Sequence, residues 1–123
     1  MTGARVALGR HGEALAVACV RSWGWRIRAT NWRCRHGEID VVAQDGDCLV
    51  VIEVRTRRGH ALGSPEESLG VRKQARLARL AEAYVQAAAW EGPWRIDVLA
   101  VVVGRDGLPE RLTHYPGAVG EDL

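Results

Sequence analysis

The sequence predicts a single α/β domain, a mixed central β-sheet flanked by helices, and three observations carry that reading. The run Leu49-Val50-Val51-Ile52 is continuously apolar and rich in β-branched residues, the mark of a central strand covered on both faces. Residues 94–103 (Trp94-Arg95-Ile96-Asp97-Val98-Leu99-Ala100-Val101-Val102-Val103) read as a second strongly buried strand. Between the two, Leu77, Leu80, Ala81, Tyr84 and Ala88 fall at i, i+3, i+4, i+7 and i+11, one stripe of a helix. At 123 residues the chain has the length of one domain, taken as 1–123, and no linker or low-complexity stretch divides it.

The remaining elements follow in order. Residues 11–22 predict a helix with Ala14, Leu15, Val17, Ala18 and Val20 as its apolar positions and Gly24 where a C-terminal cap glycine belongs. Trp25, Ile27 and Ala29 then alternate with Arg26, Arg28 and Thr30, the period of a half-buried strand. Residues 38–43 and 48–55 predict two strands joined across Asp45-Gly46, a strong hairpin signal. Ser64-Pro65-Glu66-Glu67 has the form of a helix start, with Ser as N-cap, Pro in the first helical position and Glu in the third. The long helix stops at Glu91-Gly92-Pro93, and a weaker strand at about 110–115 returns beside the last buried one. One tetrapeptide recurs, as Arg10-His11-Gly12-Glu13 and Arg35-His36-Gly37-Glu38. The first copy precedes a helical pattern and the second a strand pattern, so it is no structural repeat, and no histidine-based metal site follows from it.

Composition narrows the class. With 47% hydrophobic and 26% charged residues the chain is neither disordered nor low in complexity. No apolar stretch approaches the ~18 residues that cross a bilayer, and no secretory signal opens the sequence. The three cysteines, Cys19, Cys34 and Cys48, cannot all pair and form no C-x-x-C, which argues against a disulfide scaffold or a zinc knuckle. A cytoplasmic location and no membrane partner are the expectation. The net charge of +2 conceals segregation: +6 over residues 1–36, −5 over 37–54, +5 over 55–79 and −4 beyond. An acidic block between two basic ones suits a carboxylate site beside a polyanion track, and equally a chain with solvated faces of both signs.

The hairpin concentrates the acids. With Asp45 and Gly46 as loop residues, Asp40 lies opposite Val51 and Glu38 opposite Glu53, so Glu38, Asp40, Glu53 and Arg55 point to one side. Asp40 and Glu53 become diagonal neighbours with backbones roughly 7–8 Å apart. Converging carboxylates repel one another, and desolvation raises their pKa values. A divalent cation resolves that conflict, and hard oxygen ligands on a rigid hairpin favour Mg²⁺ or Mn²⁺. The alternative is a frayed hairpin end whose acids face water or pair with Arg55 or Arg95.

Gly37-Glu38-Ile39-Asp40, twelve residues, then Glu53-Val54-Arg55 resembles the D…(D/E)-x-K core of the restriction-endonuclease-like superfamily. Over residues 9–119 the chain more closely resembles the YraN-like family of small bacterial proteins, similar in fold to archaeal Holliday-junction resolvases. The matching pieces include Gly9-x-x-Gly12-Glu13-x-x-Ala16, Gly24-Trp25-x-Ile27, Asn31-Trp32-Arg33, Val54-Arg55-Thr56-Arg57, Lys73 and Arg95-Ile96-Asp97-Val98. The resemblance implies a restriction-endonuclease-like fold and a metal-dependent nuclease that hydrolyses DNA phosphodiesters, at branched or single-stranded structures. It implies Asp40 and Glu53 as metal ligands, the Val54 carbonyl as a third, and Glu13 as an additional acidic ligand; Glu38 belongs to the motif as ligand or support. Resolvase-like folds often act as dimers, so a homodimer is a further expectation.

One departure matters. The superfamily's signature lysine is Arg55 here, and an arginine stabilises charge but does not act as a base. This keeps a second reading in play, a non-catalytic nucleic-acid-binding module on a nuclease fold. Lys73, the only lysine, stands either as a substitute in the site or as a solvated or phosphate-contacting residue. Arg72, Arg76 and Arg79 fall on one helical face, with Arg57 and Arg58 leaving the central strand toward it: a phosphate-tracking rim or a polar helix face. Trp32, beside Arg33, is either a stacking platform for an unpaired base or a packing residue. Arg95 and Asp97 share a strand face and can form an ion pair.

Overall fold

The structure, a computed structural model, describes residues 2–59 and 70–119. The chain runs α1 (Thr2–Ser22), β1 (Arg26–Cys34), β2 (Gly37–Asp45), β3 (Cys48–Arg58), α2 (Val71–Ala87), β4 (Trp94–Val103) and β5 (Pro109–Tyr115). The five strands form one mixed sheet in the order β1-β2-β3-β4-β5, antiparallel except for the parallel pair β3–β4. A parallel pair needs a crossover, and α2 lies within it. The α/β class and the mixed sheet are those the sequence predicts. No helix among the described residues is long and apolar enough to cross a membrane. The predicted helix start at Ser64-Pro65-Glu66-Glu67 lies outside the described residues.

The two helices cover opposite faces. On the α2 face Leu77, Leu80, Ala81 and Tyr84 pack against Ile39, Val42, Leu49, Val51 and Ile96; on the α1 face Ala16 and Val20 pack against Val41, Ala43, Val50, Ile52 and Leu99. Burial on both sides is why β3 and β4 carry the unbroken apolar runs Leu49–Ile52 and Val98–Val103. Ala88, the last residue of the predicted stripe, is the C-terminal cap of α2 and not part of the helix.

Two readings need correction. The first helix begins at Thr2, not at residue 11; Gly9 and Gly12 interrupt its apolar pattern and hide the first turns. Gly12 is there for contact: a Cβ on it would fall 1.9 Å from the Thr56 Oγ1 and 2.8 Å from the Thr56 Cβ, so the bare backbone lets α1 cross closely over β3. The hairpin register also differs. Asp45 pairs with Cys48 and Val42 with Val51, so the loop residues are Gly46 and Asp47 and every partner moves by two. Gly46 has φ +60 and takes the first central position, as a type II′ turn requires.

β1 carries an irregularity that decides the site. Asn31 has φ +52 within the strand, and a separate register shift against β2 falls earlier, between Ile27 and Ala29. The alternation turns over there: Ala29 and Trp32 both pack on the α2 side, and across the ladder Ile39 and Val42 do the same. Asp40 sits at this inversion.

Candidate metal centre

Three carboxylates meet at the inversion. One oxygen each from Glu13 of α1 and Glu38 and Asp40 of β2 lie within 4.8 Å of one another. Asn31 holds two of them, its Nδ2 donating to Glu13 Oε1 at 2.7 Å and to Glu38 Oε1 at 2.7 Å. Arg33 Nε braces the other Glu38 oxygen at 3.0 Å. Asp40 reaches between the strands, where its Oδ2 accepts a hydrogen bond from the Val54 N–H at 2.8 Å. Val54 thus enters the site through its amide donor.

Asp40 is electrostatically frustrated. Burial, first, and then the neighbouring Glu53 carboxylate push its carboxyl up to about 8; Glu13 and a carboxyl–carboxylate hydrogen bond with Glu53 add to the rise, and the Val54 N–H opposes it. The pressure toward a proton anticipated from the sequence is therefore present at this residue.

Glu53 lies on the other side. It is buried at 8% exposure, and its Oε1 stands 3.5 Å from Lys73 Nζ of α2 and 3.7 Å from Arg55 Nη1. Strict alternation places Glu38, Asp40, Glu53 and Arg55 on one side. In the structure Glu38 and Asp40 line the α1 side while Glu53 pairs with a lysine of α2, because the strands invert at Asn31. The two halves meet through the Asp40–Glu53 contact.

The donor set fits a hard divalent cation. It consists of carboxylate oxygens within 4.8 Å of one another, near the span of about 4.2 Å across an octahedron with bonds of about 2.1 Å. Glu13, Glu38 and Asp40 are the residues that would hold such an ion, with Glu53 in contact with Asp40.

The supporting residues divide. Arg72, Arg76 and Arg79 are exposed on α2, as the helical spacing predicts. Arg58 uses its Nη1 to hold the Gly104 carbonyl at 3.2 Å, and Arg57 beside it is half-buried. Trp32 is half-buried and packed edge-on against Tyr84, ring centroids 5.3 Å apart. Arg95 Nε does pair with Asp97 at 3.0 Å. The sequence reading passes over Asn31 as a site residue. Its one signal is residue type, since Asn tolerates positive φ and donates through its amide. The recurring tetrapeptide, no structural repeat, delivers Glu13 and Glu38 from its two copies to one cluster, while His11 pairs with the Gly107 carbonyl.

Comparison with known proteins places the chain in a family. The model of the uncharacterised protein family UPF0102 matches residues 12–101, a span that holds Glu13, Glu38, Asp40, Glu53 and Lys73. The chain belongs to the UPF0102 family. A UPF0102 protein of Herpetosiphon aurantiacus is 48% identical over 120 residues, covering 94% of this chain and 95% of its own. One from Roseiflexus castenholzii is 46% identical over 124 residues, covering 98% and 99%, and one from Arthrobacter sp. strain FB24 is 50% identical over 111, covering 89% and 93%. UPF0102 membership bears out the YraN-like resemblance along nearly the whole chain.

Proposed function

We propose that this UPF0102 protein is a metal-dependent nuclease that hydrolyses DNA phosphodiesters at the Glu13–Glu38–Asp40 centre. The observation that carries the reading is the convergence of three half-buried carboxylates from α1 and β2, the protonation-prone Asp40 among them, an arrangement that is unfavourable without a cation. Mg²⁺ or Mn²⁺ bound there would supply Lewis-acid polarisation of a phosphate oxygen and a water of lowered pKa. The restriction-endonuclease-like resemblance of Asp40…Glu53-Val54-Arg55 supports the same chemistry.

The chain's own residues have distinct tasks. Asn31 and Arg33 fix the rotamers of Glu13 and Glu38, so that the ligand oxygens are held before anything binds. With a cation bound, Asp40 would release its proton to solvent and serve as a ligand, and Glu53, in contact with it, would add negative charge beside the centre. Hydrolysis forms a bond from a water oxygen to phosphorus and breaks the bond to the leaving sugar oxygen. Lys73 and Arg55 flank Glu53 as fixed cations that stabilise the charge building on the phosphoryl oxygens. Lys73 thereby brings a lysine to the place where the signature residue on β3 is Arg55.

End-labelled single-stranded, duplex, flap and four-way-junction DNA, incubated with Mn²⁺ and wild type or Asp40→Asn purified in parallel, tests this. Cleavage by the wild type alone is expected. Shifted but intact DNA with both proteins would replace the nuclease by a binding module, the reading that Arg55 favours. No cleavage and no binding would refute both.

A further inference from the structure

Outside the carboxylates, the most developed feature is the groove in which they sit. It is an open cleft of about 770 Å³ between α1 and the β1–β2 edge, lined on the sheet side by Thr30, Asn31, Arg33, Glu38, Asp40 and Val41. The size is that of a small-molecule site, and the wall supplied by α1 has a particular order. Arg10, Glu13, Ala14, Val17 and Arg21 line it from one helix. At 1.5 Å rise per residue, Arg10 stands about 4–5 Å before Glu13 and Arg21 about 12 Å beyond it. The two arginines bracket the carboxylate centre along the groove. Both are exposed, and among the described residues neither has an ion-pair or hydrogen-bond partner.

Between the centre and Arg21 the wall is aliphatic: Ala14 and Val17, with Val6 left 48% exposed further up the helix. Uncompensated guanidinia bracketing an aliphatic strip call for a ligand with spaced anionic groups and flat apolar faces between them. An unpaired polynucleotide strand has that form: phosphates for the arginines, and the unstacked face of a base for the strip. A duplex does not. Its bases are already stacked and paired, and its width does not pass between a helix and the sheet it packs on. The exposed row Arg72, Arg76 and Arg79 belongs to α2, on the opposite face of the sheet, and takes no part in this groove.

The geometry points to the α1–β1/β2 groove as a binding site for a single unpaired strand of nucleic acid, threaded past the carboxylates with phosphates on Arg10 and Arg21. This names the substrate class for the activity proposed above and rests on that reading for its catalytic meaning, though binding itself does not require a metal.

Fluorescence anisotropy in EDTA at low salt, with labelled oligo(dT) and a blunt duplex of equal nucleotide count, tests it. Wild type is expected to bind oligo(dT) about tenfold or more tighter than the duplex. Arg21→Glu should weaken oligo(dT) about tenfold, and the milder Arg21→Gln severalfold, both with an unchanged urea midpoint. Arg72→Glu, on the other face, should leave oligo(dT) affinity within about twofold. Equal or tighter duplex binding, no binding of either probe, or oligo(dT) affinity indifferent to Arg21 would overturn the assignment. Arg21-dependent binding without Mn²⁺-dependent cleavage would remove the nuclease and keep the groove. Cleavage of single strands at the wild-type rate by Arg21→Glu would keep the nuclease and remove the groove.

Discussion

Replacing Asp40 by Asn should stabilise the metal-free protein, and by an amount that grows with pH. In the folded chain the Asp40 carboxyl titrates near 8, against an ordinary value of 3.8. At acid pH the folded and unfolded states both carry the proton, and the site has no ionisation cost. As pH rises past the ordinary carboxyl range, the unfolded state releases its proton while the folded state keeps it. Folding stability then falls by about 1.36 kcal/mol per pH unit until Asp40 itself ionises near 8, where the loss levels off. The full displacement gives a ceiling of roughly 5–6 kcal/mol. Water entering the open groove and a shift of the Glu53 charge reduce it, and at least about 2 kcal/mol should survive. Asparagine keeps an oxygen for the Val54 N–H and a donor toward Glu53, and cannot ionise. Urea unfolding of both proteins in EDTA at about pH 5 and about pH 8.5 measures the difference. We expect Asp40→Asn to gain on the wild type by about 2 kcal/mol or more between these pH values, and Mn²⁺ to restore the wild type alone. A difference that does not change with pH, or one that moves the other way, would refute the argument.

Other perturbations report on separate parts of the account. Gly12→Ala places a methyl against Thr56 and should cost about 1–3 kcal/mol in urea unfolding, with Thr56→Ala in the same chain recovering part of the loss. Asp97 is fully buried and accepts hydrogen bonds from Arg95 Nε at 3.0 Å, His114 Nε2 at 2.7 Å and the Gly117 N–H at 2.9 Å. Asp97→Ala strands those donors and should cost about 3–5 kcal/mol while leaving Mn²⁺ affinity of the folded protein unchanged. Lys73→Met should lower the Mn²⁺-dependent cleavage rate about tenfold or more with Mn²⁺ affinity retained, and Lys73→Arg should recover part of the rate.

The sheet is legible because its central strands state their environment in composition: Leu49–Ile52 and Val98–Val103 are apolar on both faces because helices cover both. The α2 stripe at Leu77, Leu80, Ala81 and Tyr84 is legible for the complementary reason, a helix with one face buried. The hairpin was found but not its register. A glycine of positive φ fits the second loop position of one turn type and the first of another, and Gly46 takes the first. The acids were named from the motif, but not their faces. Alternation holds only while φ stays extended, and Asn31 reverses it at the strand pair that carries Asp40. The approach of Lys73 to Glu53 depends on how α2 is laid across the sheet after a long connection, which no local pattern encodes. Asn31 itself, which ties Glu13 to Glu38, lay hidden because its role comes from a single backbone angle and two hydrogen bonds.

Mn²⁺ titration followed by electron paramagnetic resonance reports whether Glu13, Glu38 and Asp40 hold a divalent cation. Wild type should remove free Mn²⁺ signal to the extent of one site per chain, with affinity rising as pH approaches about 8 and Asp40 loses its proton. Asp40→Asn and Glu13→Gln should each weaken that site about tenfold or more while remaining folded. Mn²⁺ affinity equal in wild type and Asp40→Asn would contradict the account.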